Sequence, residues 1–458
     1  MRRHAAWAYG AVAVVAVAMR LPNVWRAALS QDEVFSARIL REPTLTGAVR
    51  HVIRTESTPP LWYSLGWLVH HLGVPVEDVR LLSVAFGGLL AVVVYALASE
   101  LLPRGYAFVA ALLVAVSYEP VAQGSELRAY ALLALLAAVL GLLLLRALRS
   151  PSPKLDVAVG VTVWAGVLTH YFFVFSVAAV VAWLWLDPQA RALRRRMTFA
   201  IAAAAVAAAP WLPGFLAQFR HDHYWWIKRF SWRVVLDTPM RVFAPISVRY
   251  LPVVVGVLVI VAVGAWLLAR SGAAGRLTVA LAFAPILLAS IAWAGGLRIY
   301  AVRNLAETSP FVVIAATSAL GALRRVAVPA AVAAVVATAA SCVSVIALPP
   351  PQYQAVAKAL VAAGWRPSDP IAVFGSFFRF RAPLEWYLPH APRLDVSQPT
   401  GARCRAVFVV SPDENGDFDV TRLDRVSPRI RHATLLAAMG SRQRCVQLSR
   451  NPRLRPLS

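Results

Sequence analysis

The chain has 458 residues, 59% of them hydrophobic, and a net charge of +24 from 46 basic and 22 acidic side chains. A mean hydropathy of +0.63 excludes an ordinary soluble globular protein, in which about 45–50% of residues are apolar. The charge argues for membrane orientation and anionic lipid rather than nucleic acid, because the basic residues lie between apolar blocks or in the C-terminal tail.

The N-terminus opens Met1-Arg2-Arg3-His4 and runs into an apolar stretch as far as Met19. No small-residue cleavage site leads into a polar mature region, so this is read as an uncleaved first span rather than a signal peptide. Uncharged blocks then recur at lengths that cross or nearly cross a bilayer core. About eleven spans are predicted, at 5–22, 80–101, 106–120, 127–148, 154–170, 171–187, 197–217, 251–270, 276–296, 304–323 and 326–348. With the N-terminus cytoplasmic, the inner segments hold Arg104, Arg146, Arg149, Lys154, Arg191, Arg194, Arg195, Arg196, Arg270, Arg276, Arg324 and Arg325. The short outer loops hold only Arg128, Arg298 and Arg303, an asymmetry that supports this orientation. Use of only three lysines among the basic residues, with abundant Ala, Val and Arg, suggests a GC-rich bacterial genome and hence a bacterial inner membrane.

Three longer segments fall outside: a first loop at 22–79, a second at 218–250, and the tail 349–458. The tail begins with Pro349, Pro350 and Pro351, a stiff exit from the last span. A helical stretch from Tyr353 to Ala363 and strand-like runs at Ile371–Phe374, Ala406–Val410 and Cys445–Leu448 predict a small extracytoplasmic α/β domain. Cys404 and Cys445 sit at the edges of two of these runs and form a disulfide or stay as two thiols; an oxidising exterior permits the bond. Cys342 lies inside a span and reads as packing. The sequence has no phosphate-binding glycine loop, no HExxH and no CxxC.

The residues with chemistry cluster in the outer segments. Ser30-Gln31-Asp32-Glu33 places two carboxylates just past the first span. A carboxylate there could take a proton from an acceptor hydroxyl, or the run could be a capping box in which Asp32 complements the helix dipole. Further along, Glu56 precedes Thr58-Pro59-Pro60-Leu61-Trp62-Tyr63, a rigid entry into an aromatic, interfacial helix. Glu56 is a metal ligand, a second polar catalytic group or a solvated loop charge. In the second loop His221-Asp222-His223 could join Glu56 around a divalent cation, while Tyr224, Trp225 and Trp226 suit the interface or a sugar ring. Arg128, Arg298 and Arg303 stand at outer span boundaries, where they either hold a phosphate or snorkel.

Taken in order, Asp32-Glu33, Pro59-Pro60-Leu61-Trp62-Tyr63, Arg80-Leu81-Leu82-Ser83, Arg128-Ala129-Tyr130-Ala131-Leu132, Thr169-His170-Tyr171 and Arg303-Asn304-Leu305 to Pro310 resemble the polyprenyl-phosphate-mannose protein mannosyltransferase superfamily. Within it the chain is similar to the bacterial family 39 type and the lipid A aminoarabinose transferases, all of the GT-C fold. The resemblance covers about residues 1 to 323. It implies an all-α polytopic GT-C module at 1–348, with the domain 349–458 outside, that moves mannose or an arabinose-like sugar from a polyprenyl phosphate to an extracytoplasmic protein, lipid or cell-wall glycan. It further implies Asp32 as the base, Glu33 shaping the site, and Arg128, Arg298 and Arg303 stabilising the leaving phosphate. Two departures, Thr58 where many members have His and Asn304 where Tyr is usual, bear on the donor sugar and on any metal. The alternatives are a transporter or flippase of lipid-linked sugars, expected to carry ionisable residues at mid-membrane, and a scaffold whose basic tail binds envelope polymers.

Overall fold

The computed structural model describes residues 2–26, 28–220, 227, 229–244, 251–346, 353–362, 364–365, 371–373, 377–388, 407–412 and 418–423. The chain divides into two compact units, one of Met1–Val24 with Ile39–Ala347 and one of Trp25–Arg38 with Leu348–Ser458. The segment 22–79 is therefore divided between the units.

The first unit is helical. Among the described residues eight helical segments are long and apolar enough to cross a membrane: Trp7–Arg26, Val76–Ser99, Tyr130–Arg149, Pro188–Phe219, Pro252–Arg270, Ala273–Ala294, Val302–Leu323 and Ala327–Val345. Three other expected spans are occupied by shorter helices, Arg104–Val116, Pro153–Thr169 and Phe173–Leu186. Helices suit this setting because they satisfy their own backbone groups where no water can. Val302–Leu323 is the most enclosed of the eight and Ala327–Val345 the least.

Small residues allow close crossings, as expected where packing rather than hydrophobicity drives helix association. A Cβ on Gly264 would stand 1.7 Å from the Ala315 carbonyl oxygen. At the same crossing the Ser318 hydroxyl donates to the Gly264 carbonyl at 2.8 Å.

One predicted span ends early. The helix Arg104–Val116 stops at Ser117, which is extended, and a separate short helix Tyr118–Gln123 follows. A side chain of the first span bridges the break. Arg20 is fully buried, and its guanidinium donates to the carbonyls of Ala115 at 3.1 Å, Val114 at 3.5 Å and Pro120 at 3.0 Å. The Val114 and Ala115 oxygens lie in the last turn of that helix, where intrahelical partners run out, and the Pro120 oxygen also accepts the Gly124 N–H at 3.1 Å. Gly87 and Gly124 leave room for this arginine, since a Cβ at either would approach its Nε to 2.4 or 2.3 Å.

Several basic residues at the end assigned to the inner face are paired. Arg196 donates twice to Asp156 at 2.9 and 2.6 Å, and Arg149 pairs with Glu100. Arg276 forks onto Asp187 at 2.7 and 2.9 Å. These hydrogen bonds hold the Asp187 carboxyl below its ordinary range.

In the second unit, β1 (Ile371–Val373) pairs in parallel with β2 (Val407–Pro412), with Ile371 opposite Phe408. β2 runs antiparallel to β3 (Phe418–Leu423), with Val407 opposite Leu423. Helices Tyr353–Ala362 and Phe377–Tyr387 belong to the same unit. Sequence patterning anticipates β1, β2 and the first helix and misses β3 and the second helix. The run Cys445–Leu448, Cys404 and Cys445 lie outside the described residues. The helix Gln31–Leu40 starts within this unit: the Leu29 N–H donates to the Tyr387 hydroxyl at 2.9 Å, and Arg38 pairs with Glu385 at 2.9 Å.

Candidate active site

Helix Leu45–Thr55 is capped by Thr44, whose hydroxyl accepts the Gly47 N–H at 3.0 Å. It ends at Glu56, which is extended and donates its N–H to the Val52 carbonyl at 3.0 Å. Pro59 and Pro60 then direct the chain into helix Leu61–His71, whose first turn buries Trp62 and Tyr63. This bend folds Tyr63 back onto Glu56. The Tyr63 hydroxyl donates to Glu56 Oε2 at 2.8 Å.

Arg128 reaches the same point from the start of helix Tyr130–Arg149. Its Nη1 donates to Glu56 Oε2 at 3.1 Å and to the Tyr63 hydroxyl at 3.2 Å. The Thr58 hydroxyl lies 3.1 Å from the same phenol oxygen. A phenol has one proton and two lone pairs. Tyr63 can therefore donate to Glu56 while accepting from Arg128 and Thr58. Burial is the main reason that its hydroxyl is held well above the usual phenol range; Arg128 opposes the shift and Glu56 adds to it. Gln218 fixes the bend from outside by donating to the carbonyls of Val52 at 2.9 Å and Thr58 at 3.1 Å. Its own side-chain oxygen accepts from Tyr171 at 2.5 Å, and Trp211 donates to that tyrosine at 2.9 Å.

His170 occupies the turn between helices Pro153–Thr169 and Phe173–Leu186 and is buried. Its Nδ1 accepts the Phe172 N–H at 3.2 Å, which assigns the proton to Nε2. Desolvation, followed by the charges of Arg128 and Arg303, lowers its pKa to about 3. Two of the three arginines expected to meet a phosphate thus act on one imidazole. Arg303 also lies over the Tyr130 ring, 5.9 Å from its centroid. On its other flank is Glu119, which accepts from Gln123 at 2.8 Å. Burial raises the Glu119 carboxyl, and Arg241, Gln123 and Arg303 pull it back. Arg298 is exposed in the preceding loop and enters no ion pair among the described residues.

In the second unit, Asp32 and Glu33 occupy the first turn of helix Gln31–Leu40. Glu33 is buried, and its Oε2 accepts the Ser30 N–H at 2.9 Å, the glutamate half of a capping box.

For a metal centre, Glu56 Oε2 is engaged by Tyr63 and Arg128, and His221 and His223 lie outside the described residues. Among the described residues no three His, Cys, Asp or Glu side chains gather at metal-binding distance.

Sequence reading singles out neither Glu119, Arg20 nor Glu307. Glu119 is the one acid between Arg104 and Glu126, a visible signal. Glu307 is fully buried, and neither of its oxygens has a hydrogen-bond partner among the described residues.

Residues 57–213 match the family model described as dolichyl-phosphate-mannose-protein mannosyltransferase, about a third of the chain. No curated protein sequence matches the chain. Among solved structures it is similar to ArnT from Cupriavidus metallidurans bound to undecaprenyl phosphate, at a TM-score of 0.59 and 15% identity over 89% of this chain and 92% of that one. The apo state of that protein matches at 0.57 and 15%, over 82% and 83%. The chain is therefore a multi-pass membrane protein similar in fold to ArnT and, over 57–213, similar in sequence to the mannosyltransferase family.

Proposed function

We propose that this protein is a membrane glycosyltransferase that moves a sugar, mannose or arabinose-like, from a polyprenyl-phosphate donor to an acceptor hydroxyl on the outer face of a bacterial inner membrane. The observation that carries the reading is the meeting of Arg128 and Arg303 around the buried, neutral His170, beside Glu56 and Tyr63. Two cations in a partly desolvated setting suit a phosphate whose charge grows as it leaves. The neutral imidazole adds no cation of its own and can donate from Nε2. The GT-C fold likeness and the family match over 57–213 support the same class of reaction.

In this reading the acceptor oxygen attacks the anomeric carbon, and the bond from that carbon to the phosphate oxygen breaks with its electron pair going to the phosphate. The acceptor's proton passes to Asp32. Arg128 and Arg303 receive the leaving phosphate, with Arg298 nearer solvent. Glu33 holds the helix start that carries Asp32. A divalent cation on Glu56, His221 and His223 would add a further charge for the phosphate, at the cost of the present Glu56–Arg128 pairing. The orientation is N-terminus inside, with eleven spans, and 349–458 form an extracytoplasmic α/β domain with a Cys404–Cys445 disulfide. The acceptor is a protein, lipid or cell-wall glycan hydroxyl.

The test is incubation of the purified protein with a panel of labelled polyprenyl-phosphate sugars and an acceptor extract. Asp32-dependent release of polyprenyl phosphate supports the proposal; full release by Asp32→Asn refutes the base assignment. A flippase remains the second reading, because Glu307 is a buried ionisable residue within a span. It predicts movement of intact donor across vesicles with no release of polyprenyl phosphate.

A further inference from the structure

A groove of about 1370 Å3 runs between helices Pro153–Thr169 and Arg191–Ala208. The two helices cross closely where a Cβ on Gly160 would stand 3.2 Å from the Ala200 carbonyl oxygen, and alanines 203, 204 and 207 continue the trough. Trp164 and Phe199 also line it. From Thr198 to Ala207 the trough extends about 14 Å along the helix at 1.5 Å per residue, about half the 30 Å hydrocarbon core. That is the depth of one leaflet.

The mouth is cationic. Arg191, Arg194, Arg195 and Arg196 all line the groove at one end. Two of them are spoken for. Arg194 donates to the carbonyls of Leu184 and Trp185 at 3.0 and 2.9 Å, and Arg196 neutralises Asp156. Arg191 and Arg195 are exposed and make no hydrogen bond or ion pair among the described residues. One turn inside, Thr198 also lines the groove and has a buried hydroxyl oxygen with no hydrogen-bond partner among the described residues. Asp156 lies about 21 Å along its helix from His170 at 1.5 Å per residue, so the mouth opens at the opposite end of the bundle from the candidate active site.

We propose that this groove is a binding site for an anionic diacyl phospholipid of the leaflet at the arginine-rich end, with Arg191 and Arg195 on its phosphate and an acyl chain along Gly160, Ala203 and Ala207. Charge complementarity selects an anionic head group over a neutral one. The one-leaflet depth suits an ordinary acyl chain better than a polyprenyl tail. The site is independent of the transfer reaction: it shares no residue with Arg128, Arg303 or His170.

The test uses the full chain, purified in mild detergent and stripped of lipid by extended washing. Phosphatidylglycerol, phosphatidylcholine and a long-chain polyprenyl phosphate are added separately and in competition, and bound lipid is counted by native mass spectrometry. Wild type is expected to retain phosphatidylglycerol about 30-fold more tightly than phosphatidylcholine, the equivalent of about 1 kcal/mol for each of two arginines. Combining Arg191→Ala with Arg195→Ala removes that preference while Arg194 and Arg196 keep the helix ends in place. Ala203→Trp, at an exposed position of the trough, expels the lipid while gel filtration shows an intact monodisperse protein. Equal retention of the two phospholipids by wild type overturns the proposal. So does unchanged phosphatidylglycerol binding in either variant, or displacement of phosphatidylglycerol by equimolar polyprenyl phosphate.

Discussion

Replacing Arg128 with Met separates the structural use of this residue from its chemical one. The Arg128 and Glu56 side chains are 10% and 6% exposed and 3.1 Å apart. At an effective dielectric of about 20 their attraction is about 5 kcal/mol. Removing only the cation leaves a buried carboxylate with the Tyr63 hydroxyl as its remaining donor among the described residues, and such single deletions cost about 3–5 kcal/mol. Replacing both partners by neutral groups of similar size is close to neutral. Arg128→Met is therefore expected to lower the thermal midpoint of the detergent-solubilised protein sharply, and Arg128→Met with Glu56→Gln to recover most of the loss. Transfer activity behaves differently: both the single and the double variant lack the guanidinium for the donor phosphate and stay inactive. The assay is gel filtration after a temperature ramp, run beside release of labelled polyprenyl phosphate. A stable single variant, or a double variant no better than the single, refutes the ion-pair reasoning; full transfer by the double variant refutes the phosphate role.

Asp32→Asn keeps the size of a half-buried side chain in the first helical turn, so the protein should stay folded and monodisperse while release of polyprenyl phosphate falls to background. Glu33→Ala should instead cost about 1 kcal/mol through loss of the cap to Ser30, read as a lowered midpoint. His170 sets an acid limb. Its folded pKa of about 3 lies below the ordinary value of 6.5, so the unfolded chain binds the proton first and stability falls as pH drops from about 6.5 toward 3, by up to about 1.4 kcal/mol per unit. His170→Asn should flatten the midpoint-against-pH curve in that window, and parallel curves would show that the limb belongs to other groups. Gly264→Val should abolish monodisperse protein, because its side chain would occupy the Ala315 carbonyl. Overpacking of this kind costs about 1–3 kcal/mol even where neighbours can shift, and here the obstacle is backbone.

The chemistry of this chain was visible in the sequence wherever it depends on local order. Uncharged runs such as 251–269 and 277–296 locate helices because a bilayer admits no other open-chain solution. The Ser30-x-x-Glu33 spacing already contains the cap that forms between Glu33 and Ser30, since both atoms lie in one helical turn. The Pro59-Pro60 step announces the bend that turns Tyr63 toward Glu56.

What only the tertiary structure decided are pairings between polar groups distant in sequence. Glu56 reads locally as a loop charge or a ligand; 72 residues later Arg128 claims it. Arg20 reads as a basic residue in the first span, yet it bonds carbonyls 94 to 100 residues away, on both sides of the break at Ser117 that splits a predicted span. Hydropathy patterns record which surface a residue prefers, a property of each side chain and its near neighbours. A buried guanidinium or carboxylate is stable only if a partner of the right shape arrives from elsewhere in the fold, and which partner arrives is settled by how the helices cross.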